Sequence, residues 1–390
     1  MDDQPIKRRL VLKPKVMRRS GGDIQLGLCC LNTALRDQGI FCSRKPTMKT
    51  IKDKGLPYLQ SICLQNCQDL LKMLKWNADN GIRVFRISSE LFPHKSNPRV
   101  QSYDLDFAQD LLTEAGIFAR ETGQRLTFHP GPYNIVGSRD TDNIIDYSSN
   151  GQLYQKDAIV RWNSILWRVK ETHTTTADQV PPCDLETPIL YERCTFQRTI
   201  DDLAWHAEVL DRLNCDQNSV MVVHGGALYN DKARTKARWV KNFTLLPEKV
   251  QRRLVLENCE KCFNIDDCLE ISAKCGVPVV FDTHHYTCYS LLHPQEIFKP
   301  EKEYLPAILD TWHRRQIKPK FHVSEQAACC EGKKAKIGKH SDFIEALPEF
   351  LLTIEEPIDI MIEAKQKEQA IDRLYHVHAD RFSRKRKIME

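Results

Sequence analysis

Residues 254–285, LVLENCEKCFNIDDCLEISAKCGVPVVFDTHH, contain the pattern that decides the fold. Two short apolar runs, Leu254–Glu257 and Val279–Asp282, each end on a carboxylate, and a longer segment separates them. Short strand-like runs that alternate with longer helical segments are typical of a parallel sheet wound with helices. The stretch therefore predicts two parallel strands whose carboxyl ends carry acidic side chains.

The same alternation extends along most of the chain and gives eight strand candidates. They are Ile24–Cys30, Val84–Ser88, Arg125–His129, Val220–His224, Leu254–Glu257, Val279–Asp282, Lys320–Val323 and Asp359–Glu363. Between them, apolar residues recur at helical spacing, as at Leu70, Leu71, Leu74 and Ala78 or at Leu203, Ala207, Leu210 and Leu213. Because eight parallel strands close a barrel, we predict an α/β protein built on a single (β/α)8 TIM barrel.

The barrel is expected to span residues 24–375, between a basic N-terminal tail over 1–23 and a basic C-terminal tail over 376–390. Residues 139–195, after the third strand, form an insertion that is too long for an ordinary connection. It contains two tryptophans, a threonine run and a proline pair, namely Trp162, Trp167, Thr174–Thr176 and Pro181–Pro182. Loops after barrel strands emerge on the C-terminal face, so the insertion is expected over or beside the active site.

The composition excludes several classes of protein. With 390 residues, of which 41% are hydrophobic, the chain is neither disordered nor collagen-like. It has no run of about 18 apolar residues, and the N-terminus, MDDQPIKRRL, lacks a signal-peptide stretch, so neither a membrane span nor secretion is expected. The 15 cysteines follow no disulfide framework, which favours a reducing intracellular compartment, nuclear or cytoplasmic depending on the organism. A lone Cys259-x-x-Cys262 is weak evidence for structural zinc.

Positive charge is concentrated at the two ends of the chain. The net charge is +5, but residues 1–20 carry seven basic and two acidic side chains and residues 380–390 carry five and two, which leaves the body near −3. Basic tails favour a polyanionic partner, because Lys and Arg release counterions from phosphates. Solvated tails, or a nuclear address at Arg381–Lys387, explain the same charges.

Nearly every predicted strand ends on a polar residue that can bind metal or substrate. These residues are Asn32, Ser88–Glu90, His129, His224, Glu257, Asp282, His322 and Glu363. In a barrel they converge on one face, where imidazoles and carboxylates desolvate and repel one another unless divalent cations neutralise them. Mixed imidazole and carboxylate donors suit Zn²⁺, Mn²⁺ or Fe²⁺ better than Ca²⁺. For any single histidine, a hydrogen-bonded core residue is the alternative.

Further histidines follow the sixth and seventh strands. Asp282, His284 and His285 place several donors on one strand-to-loop turn. His340, beside Ser341–Asp342, is either a ligand or part of a cap for the next helix.

These residues lie in motifs that resemble the ultraviolet damage endonuclease family, whose barrel is related to those of endonuclease IV and xylose isomerase. The resemblance covers residues 25 to about 374 apart from the insertion. Eight motifs occur in order, namely LGLCCLNTALR at 26–36, FRISSELFPH at 85–94, RLTFHPGPY at 125–133, VVHGG at 222–226, LVLENCE at 254–260, VVFDTHH at 279–285, PKFHVSE at 319–325 and MIEAKQKEQA at 361–370. Each motif alone is weak evidence, whereas all eight in order are specific.

The resemblance implies a centre of two or three divalent metals, taken to be Mn²⁺, with Zn²⁺ or Mg²⁺ as alternatives. It assigns as ligands His129, His224, Glu257, Asp282, His285, His322, His340 and Glu363. Glu257, Glu363 and Lys320 are implied as catalytic, and the lysine that matches Lys320 is carboxylated in bacterial relatives. An unmodified Lys320 paired with Glu363 or Glu325 is the alternative.

The chain departs from the family pattern in the loops after the first three strands. A family histidine falls on Asn97, whereas His94 lies one turn earlier, so either His94 replaces that ligand or one ligand is lost. The family's Gln-Tyr pair, which wedges into the duplex, is Pro132–Tyr133 here, and a family tyrosine is Leu28. Lesion recognition is therefore expected to differ even where the metal chemistry is kept.

The resemblance implies a DNA repair endonuclease, expected to be a monomer, that acts on damaged double-stranded DNA. It would hydrolyse the phosphodiester bond immediately 5′ to UV photoproducts and other distorting lesions, leaving a 3′-hydroxyl and a 5′-phosphate. Expected DNA contacts are Asn32, Pro132, Tyr133, Arg36, Lys232, Arg234 and Lys236, of which the four basic side chains fit an ordinary solvated loop equally well. An endonuclease IV-like abasic-site nuclease, a sugar isomerase and a lesion-binding scaffold with weakened catalysis are the alternatives.

Overall fold

A computed structural model describes residues 24–149, 151–176, 190–328, 336–379 and 382. The predicted N-terminal tail, most of the predicted C-terminal tail with its Arg381–Lys387 segment, and the Pro181–Pro182 pair lie outside the described residues. All statements below concern the described part of the chain.

Eight parallel strands form a closed barrel. They are β1 (Ile24–Cys29), β2 (Val84–Ile87), β3 (Arg125–Phe128), β4 (Met221–His224), β5 (Leu254–Glu257), β6 (Val279–Asp282), β7 (Lys320–Val323) and β8 (Ile358–Ile362). Each strand lies beside the next one along the chain, and β8 closes on β1. The predicted strands differ from these by at most one residue at either end, so the barrel is confirmed.

Helices cover the outside of the barrel. They are α1 (Thr33–Arg36), α2 (Met48–Asp79), α3 (Gln109–Glu121), α4 (Thr195–Arg212), α5 (Lys232–Phe243), α6 (Glu248–Gln251), α7 (Ile265–Cys275), α8 (Thr283–Leu292), α9 (Glu301–His313), α10 (Glu349–Leu352) and α11 (Lys367–Val377), with 3-10 turns at Asp106–Ala108 and Arg139–Thr141. Helix α2 is broken at Gly55, whose φ of +77° is left-handed, just before Pro57. None of these helices has the length and apolar character that a bilayer crossing requires.

The strands are short and apolar because both of their faces are covered. All four residues of β5, β6 and β7 are buried, including the polar Glu257, Asp282, Lys320 and His322. The apolar members of these strands pack in one continuous core with the helices. The polar members instead face the barrel interior, where they form the site described below.

The insertion after β3 folds as two small sheets, although no strand was predicted there. Four strands pair in the order Ile144–Asp146, Ile159–Trp162, Ile165–Val169 and Tyr191–Arg193, and Leu153–Tyr154 pairs with His173–Thr174. Buried Tyr154, Trp167 and Tyr191 lie in a separate small core. The backbone N–H of Leu166 donates to Gln197 Oε1 at 3.0 Å, which attaches the insertion to the first turn of α4.

Candidate active site

The carboxyl ends of the strands bring five of the eight implied ligands into two groups. One group contains His129, Glu257 and His322, and the other contains His224, Glu257 and His285. Within each group the candidate ligand atoms lie within 4.8 Å of one another. This convergence follows from the barrel, because its strands all end at the same rim.

Glu257, the last residue of β5, is common to both groups. Its Oε2 lies 2.8 Å from His129 Nε2 and its Oε1 lies 2.7 Å from His322 Nδ1. Burial alone would raise the pKa of Glu257. The nearby His322 and His224, together with the hydrogen bonds that Glu257 accepts, instead hold that pKa well below the usual value. Burial lowers the pKa of His224 and of His322 to about 4, so both imidazoles are neutral near pH 7, which is the form that binds metals.

Three imidazoles are oriented by backbone carbonyl groups. Nδ1 of His285 lies 3.0 Å from the carbonyl oxygen of Asn258, Nδ1 of His340 lies 2.8 Å from that of Glu363, and Nδ1 of His129 lies 3.3 Å from that of Pro130. A carbonyl oxygen can only accept, so Nδ1 of each ring is the donor in this contact, and the contact fixes the orientation of the ring. Histidines that bind metals in proteins have this arrangement.

Two buried polar atoms of the site have no hydrogen-bond partner among the described residues. They are Asp282 Oδ2, on a side chain that is 0% exposed, and His224 Nδ1. An unsatisfied buried carboxylate oxygen costs about 1–3 kcal/mol or more. A divalent cation would compensate Asp282, so the donor set fits such an ion.

Glu363, which follows β8, is compensated within the protein by a residue that sequence reasoning missed. Arg86 Nη1 lies 2.5 Å from Glu363 Oε1, and His322 Nδ1 lies 3.3 Å from the same oxygen. Burial would raise the pKa of Glu363, but the Arg86 guanidinium outweighs it and holds this pKa far below the usual value. The sequence contains a signal for this pairing, because an arginine inside the short apolar strand VFRI must lie next to an acceptor.

Lys320 of β7 is 0% exposed, and its Nζ lies 3.0 Å from His322 Nε2. Among the described ion pairs, none joins Lys320 to Glu363 or to Glu325, so the expected pairing with either carboxylate is not found there. Burial, together with the charges of Arg86 and Arg125, lowers the pKa of Lys320 to about 7.

The structure does not bring His94 into the cluster, and this corrects its assignment as a metal ligand. His94 adopts a left-handed backbone conformation with φ of +62°, and its Nε2 lies 2.8 Å from the carbonyl oxygen of Pro46. Its Nδ1 faces Asn97 Nδ2 at 3.2 Å, so both ring nitrogens already have partners. His94 does not belong to the candidate metal groups found among the described residues.

The Cys259-x-x-Cys262 pair is also absent from these metal groups, in the part of the chain that is described. Cys259 Sγ instead accepts from the backbone N–H groups of Cys262 and Phe263, each at 3.2 Å.

The predicted DNA contacts after β1 and β3 differ in exposure. Asn32 is 1% exposed and caps α1 by accepting from the Leu35 N–H at 2.9 Å, so its side chain is not at the surface as expected. Arg36 in the same helix is exposed. Pro132 is exposed too, and Tyr133 is 87% exposed at the tip of the loop that follows His129.

The three predicted phosphate contacts on α5 are held in ion pairs. Lys232 Nζ lies 2.7 Å from Asp267 Oδ2, and Lys236 Nζ lies 3.0 Å from Asp267 Oδ1. Arg234 Nη2 lies 3.4 Å from Asp142 Oδ2. These acidic partners come from other segments, so their neutralising effect could not be read from the basic run alone. The run lies on helix α5 and not in a loop, and its contact with phosphate stays a prediction.

The fold and the site together define a class of protein, namely a parallel α/β barrel with imidazoles and carboxylates gathered at the carboxyl rim. Comparison with known families narrows that class. The sequence model described as "UV-endonuclease UvdE" matches residues 24–160 and 192–389, so the chain belongs to the UV-endonuclease UvdE family. The match leaves out residues 161–191, which lie within the insertion.

Individual relatives agree with this assignment. The chain is 32% identical over 365 residues to a "Putative UV-damage endonuclease" of Acanthamoeba polyphaga mimivirus, covering 92% of both chains. It is 30% identical over 356 residues to the "UV-damage endonuclease" of Schizosaccharomyces pombe, covering 89% of this chain but 49% of the yeast protein. The crystal structure of SacUVDE superposes with a TM-score of 0.68 at 23% identity, covering 92% of this chain and 98% of that chain.

These comparisons confirm the barrel, the family resemblance and the endonuclease class of the enzyme. They do not favour the sugar isomerase or the abasic-site nuclease. The metal identity, the oligomeric state and the cellular compartment stay predictions.

Proposed function

We propose that this chain is a divalent metal-dependent DNA repair endonuclease that cuts the backbone immediately 5′ to UV photoproducts and other distorting lesions, leaving a 3′-hydroxyl and a 5′-phosphate. Family membership supports the reaction class. One observation of the site carries the proposal, namely that the buried Glu257 belongs to two separate histidine groups at one rim.

The residues fit two ions, with Mn²⁺ proposed and Zn²⁺ or Mg²⁺ as alternatives, and a third ion is proposed at the remaining donors. Glu257, His129, His224, His285 and His322 would hold the first two ions, and Asp282, His340 and Glu363 surround them. When bound, divalent cations lower the pKa of water and neutralise charge on phosphate oxygens. The protein orients the ligands, through the Asn258 carbonyl on His285 and Arg86 on Glu363.

Lys320 is proposed as a carboxylated residue of the centre. A lysine whose pKa is about 7 is partly deprotonated near neutral pH, and the neutral amine is the form that reacts with carbon dioxide. Its nitrogen would attack the carbon of CO₂ and release one proton, giving a carbamate. The negative carbamate would lie among the positive charges of Arg86 and Arg125, which now disfavour an ammonium group there.

Lesion selection is proposed to depend on deformability. A cyclobutane dimer is poorly stacked, so it costs less to displace than an intact base pair. The exposed Pro132–Tyr133 tip is positioned to insert an apolar ring and an aromatic ring beside such a lesion. Arg36, exposed on α1, is the proposed phosphate contact.

An irradiated-plasmid nicking assay tests this proposal. Metal-stripped protein should leave irradiated supercoiled plasmid intact, and added Mn²⁺ should restore nicking, with little cutting of plasmid that was not irradiated. Glu257→Gln should lower the rate by at least about 100-fold, because it alters a donor common to both groups. Glu270→Gln, a surface carboxylate in ion pairs with Lys236 and Lys274, is the matched control and should leave the rate unchanged.

End-group analysis on a defined duplex then tests the cleavage position. A single dimer should give a product with an extendable 3′-hydroxyl directly before the lesion. Equal cutting of intact DNA, faster cutting of an abasic duplex than of the dimer duplex, or tight binding without any cutting would each refute the proposal, and the last would favour a lesion-binding scaffold.

A further inference from the structure

The exposed tip after β3 is attached to the outer helix α4 at two points. The backbone N–H of Ile135 donates to Thr199 Oγ1 at 3.0 Å. Asn134 Nδ2 donates to Asp202 Oδ2 at 2.8 Å. Thr199 and Asp202 are three residues apart and therefore lie on one face of the helix. Both attachment points come directly after Tyr133, whose ring is 87% exposed.

Asn134 connects these attachments to the turn that carries the tip. Its backbone N–H and its Nδ2 both donate to the carbonyl oxygen of Gly131, at 3.2 and 3.0 Å. The segment Gly131–Asn134 is thus closed as a turn, with Pro132 and Tyr133 at its two central positions. Because Asn134 is 5% exposed, the base of the turn is buried while its two central side chains project outward.

Asp202 is itself firmly held. Its Oδ1 accepts from Ser96 Oγ at 2.6 Å and from Trp205 Nε1 at 3.0 Å. The Trp205 ring packs edge-on against Phe128, the last residue of β3, at 6.1 Å between centroids. Burial alone would raise the pKa of Asp202, but the nearby His206 and the three donated hydrogen bonds hold this pKa below its usual value. The carboxylate is therefore a charged, fixed acceptor for the loop.

We infer that Asp202 and Thr199 are positioning residues that preorganise the Pro132–Tyr133 tip for insertion beside a lesion. This inference rests on the proposed function and adds to it the residues that set its selectivity. A tip that is already ordered loses less conformational entropy when it enters the duplex than a free loop does. Contacts to the phosphate backbone of intact DNA do not need the tip, so preorganisation favours damaged DNA alone.

Two variants loosen the tip by different routes. Asp202→Ala removes the acceptor of Asn134 Nδ2, and Thr199→Val removes the acceptor of the Ile135 N–H with little change of shape. Ser96→Ala is the matched control, because it removes a hydrogen bond to the same carboxylate without touching residues 131–135. Amide hydrogen exchange over residues 131–136 should accelerate in the first two variants and not in the control.

Binding to matched duplexes measures the consequence. The ratio of the dissociation constants for intact and dimer-containing DNA should fall about tenfold in Asp202→Ala, while the affinity for intact DNA stays constant. In a Tyr133→Ala background, Asp202→Ala should have no further effect on this ratio, because it acts through the tip. If Asp202 had a purely structural role, Asp202→Ala would instead weaken binding to both duplexes, and its effect would add to that of Tyr133→Ala.

Each result of these measurements either supports or overturns the inference. Faster exchange with an unchanged ratio, unchanged exchange in both variants, or additivity with Tyr133→Ala would overturn the inference. If the unaltered protein shows no preference for dimer-containing DNA, the proposed function itself fails, and the inference fails with it. If Asp202→Ala does not fold, Thr199→Val provides the same comparison.

Discussion

The two ends of the barrel both carry buried carboxylates, but these carboxylates are compensated differently. At the amino end, Asp359 of β8 lies 2.7 Å from Arg125 of β3 and 2.5 Å from Lys318. At the carboxyl end, Asp282 Oδ2 is buried without a hydrogen-bond donor among the described residues. Asp359 therefore has two close ion pairs within the protein. Asp282 Oδ2 has only a longer one, to His285 Nδ1 at 3.8 Å, among the described residues.

The difference teaches how to separate a structural charge from a functional one. A buried charge that is paired within the fold contributes to the stability of the folded state, and removing one partner is costly. A buried charge without a partner destabilises the metal-free protein, and such groups concentrate at functional sites. Neutralising an aspartate should therefore have opposite effects at the two ends of the barrel.

The largest effect is expected at the amino end. Asp359→Asn leaves the Arg125 and Lys318 charges without their carboxylate, so the free energy of unfolding should fall by about 3–5 kcal/mol. Urea denaturation of the metal-free protein measures this change. Glu356→Gln, which alters a surface pair with His313, is the control and should cost at most about 1 kcal/mol. A loss below about 1 kcal/mol for Asp359→Asn would contradict the compensation argument.

A smaller effect of opposite sign is expected at the carboxyl end. Burial raises the pKa of Asp282 to about 7, so the folded state binds its proton more tightly than the unfolded state does. Metal-free protein should therefore lose stability as pH rises through about 7, and Asp282→Asn should be more stable than the unaltered protein by about 2 kcal/mol near pH 8. Below about pH 4, where the carboxyl is protonated in both states, the advantage should disappear.

The same variant separates metal binding from folding. Mn²⁺ should raise the melting temperature of the unaltered protein, because a ligand that binds only the folded state stabilises it. Mn²⁺ should raise the melting temperature of Asp282→Asn much less. Two results would show that this carboxylate is structural. Asp282→Asn would be less stable than the unaltered protein near pH 8, or Mn²⁺ would stabilise both proteins equally.

The smallest effect is expected on the outside of the barrel, at Lys236. Lys236→Ala removes ion pairs to Asp267 and to Glu270. Lys232 still partly compensates Asp267 and Lys274 still partly compensates Glu270, so we expect a loss of at most about 1 kcal/mol. Affinity for duplex DNA and its dependence on salt should not change, because the ammonium group is already paired. Weaker binding with a salt slope reduced by about one would restore Lys236 as a phosphate contact.

The sequence predicted the barrel and most of the cluster for a common reason. Each strand is a short apolar run that ends on a polar residue, and a barrel brings such ends to one rim. The structure gathers five of the implied ligands at one site, namely His129, His224, Glu257, His285 and His322, as strand ends and resemblance together predict. Their role as metal ligands stays a prediction. His94 was wrong because its loop turns the ring toward Pro46.

Other features could not be predicted from local patterns. The strands of the insertion are two to five residues long, too short to give a recognisable alternation. The partners of Lys232, Lys236 and Arg234 come from segments that are distant in sequence. The same holds for Arg86 and Glu363, which are 277 residues apart.

The sequence by itself determined which residues form the barrel strands and which donors stand at their ends, because a short apolar run and the polar residue that ends it are local features of the chain. Only the tertiary structure decided which charges meet. It paired Asp359 with Arg125, it left Asp282 Oδ2 without a donor, and it fixed the tip after β3 to α4. The physical reason is that electrostatic energies depend on distances of a few ångströms between groups far apart in the chain, and only folding sets those distances.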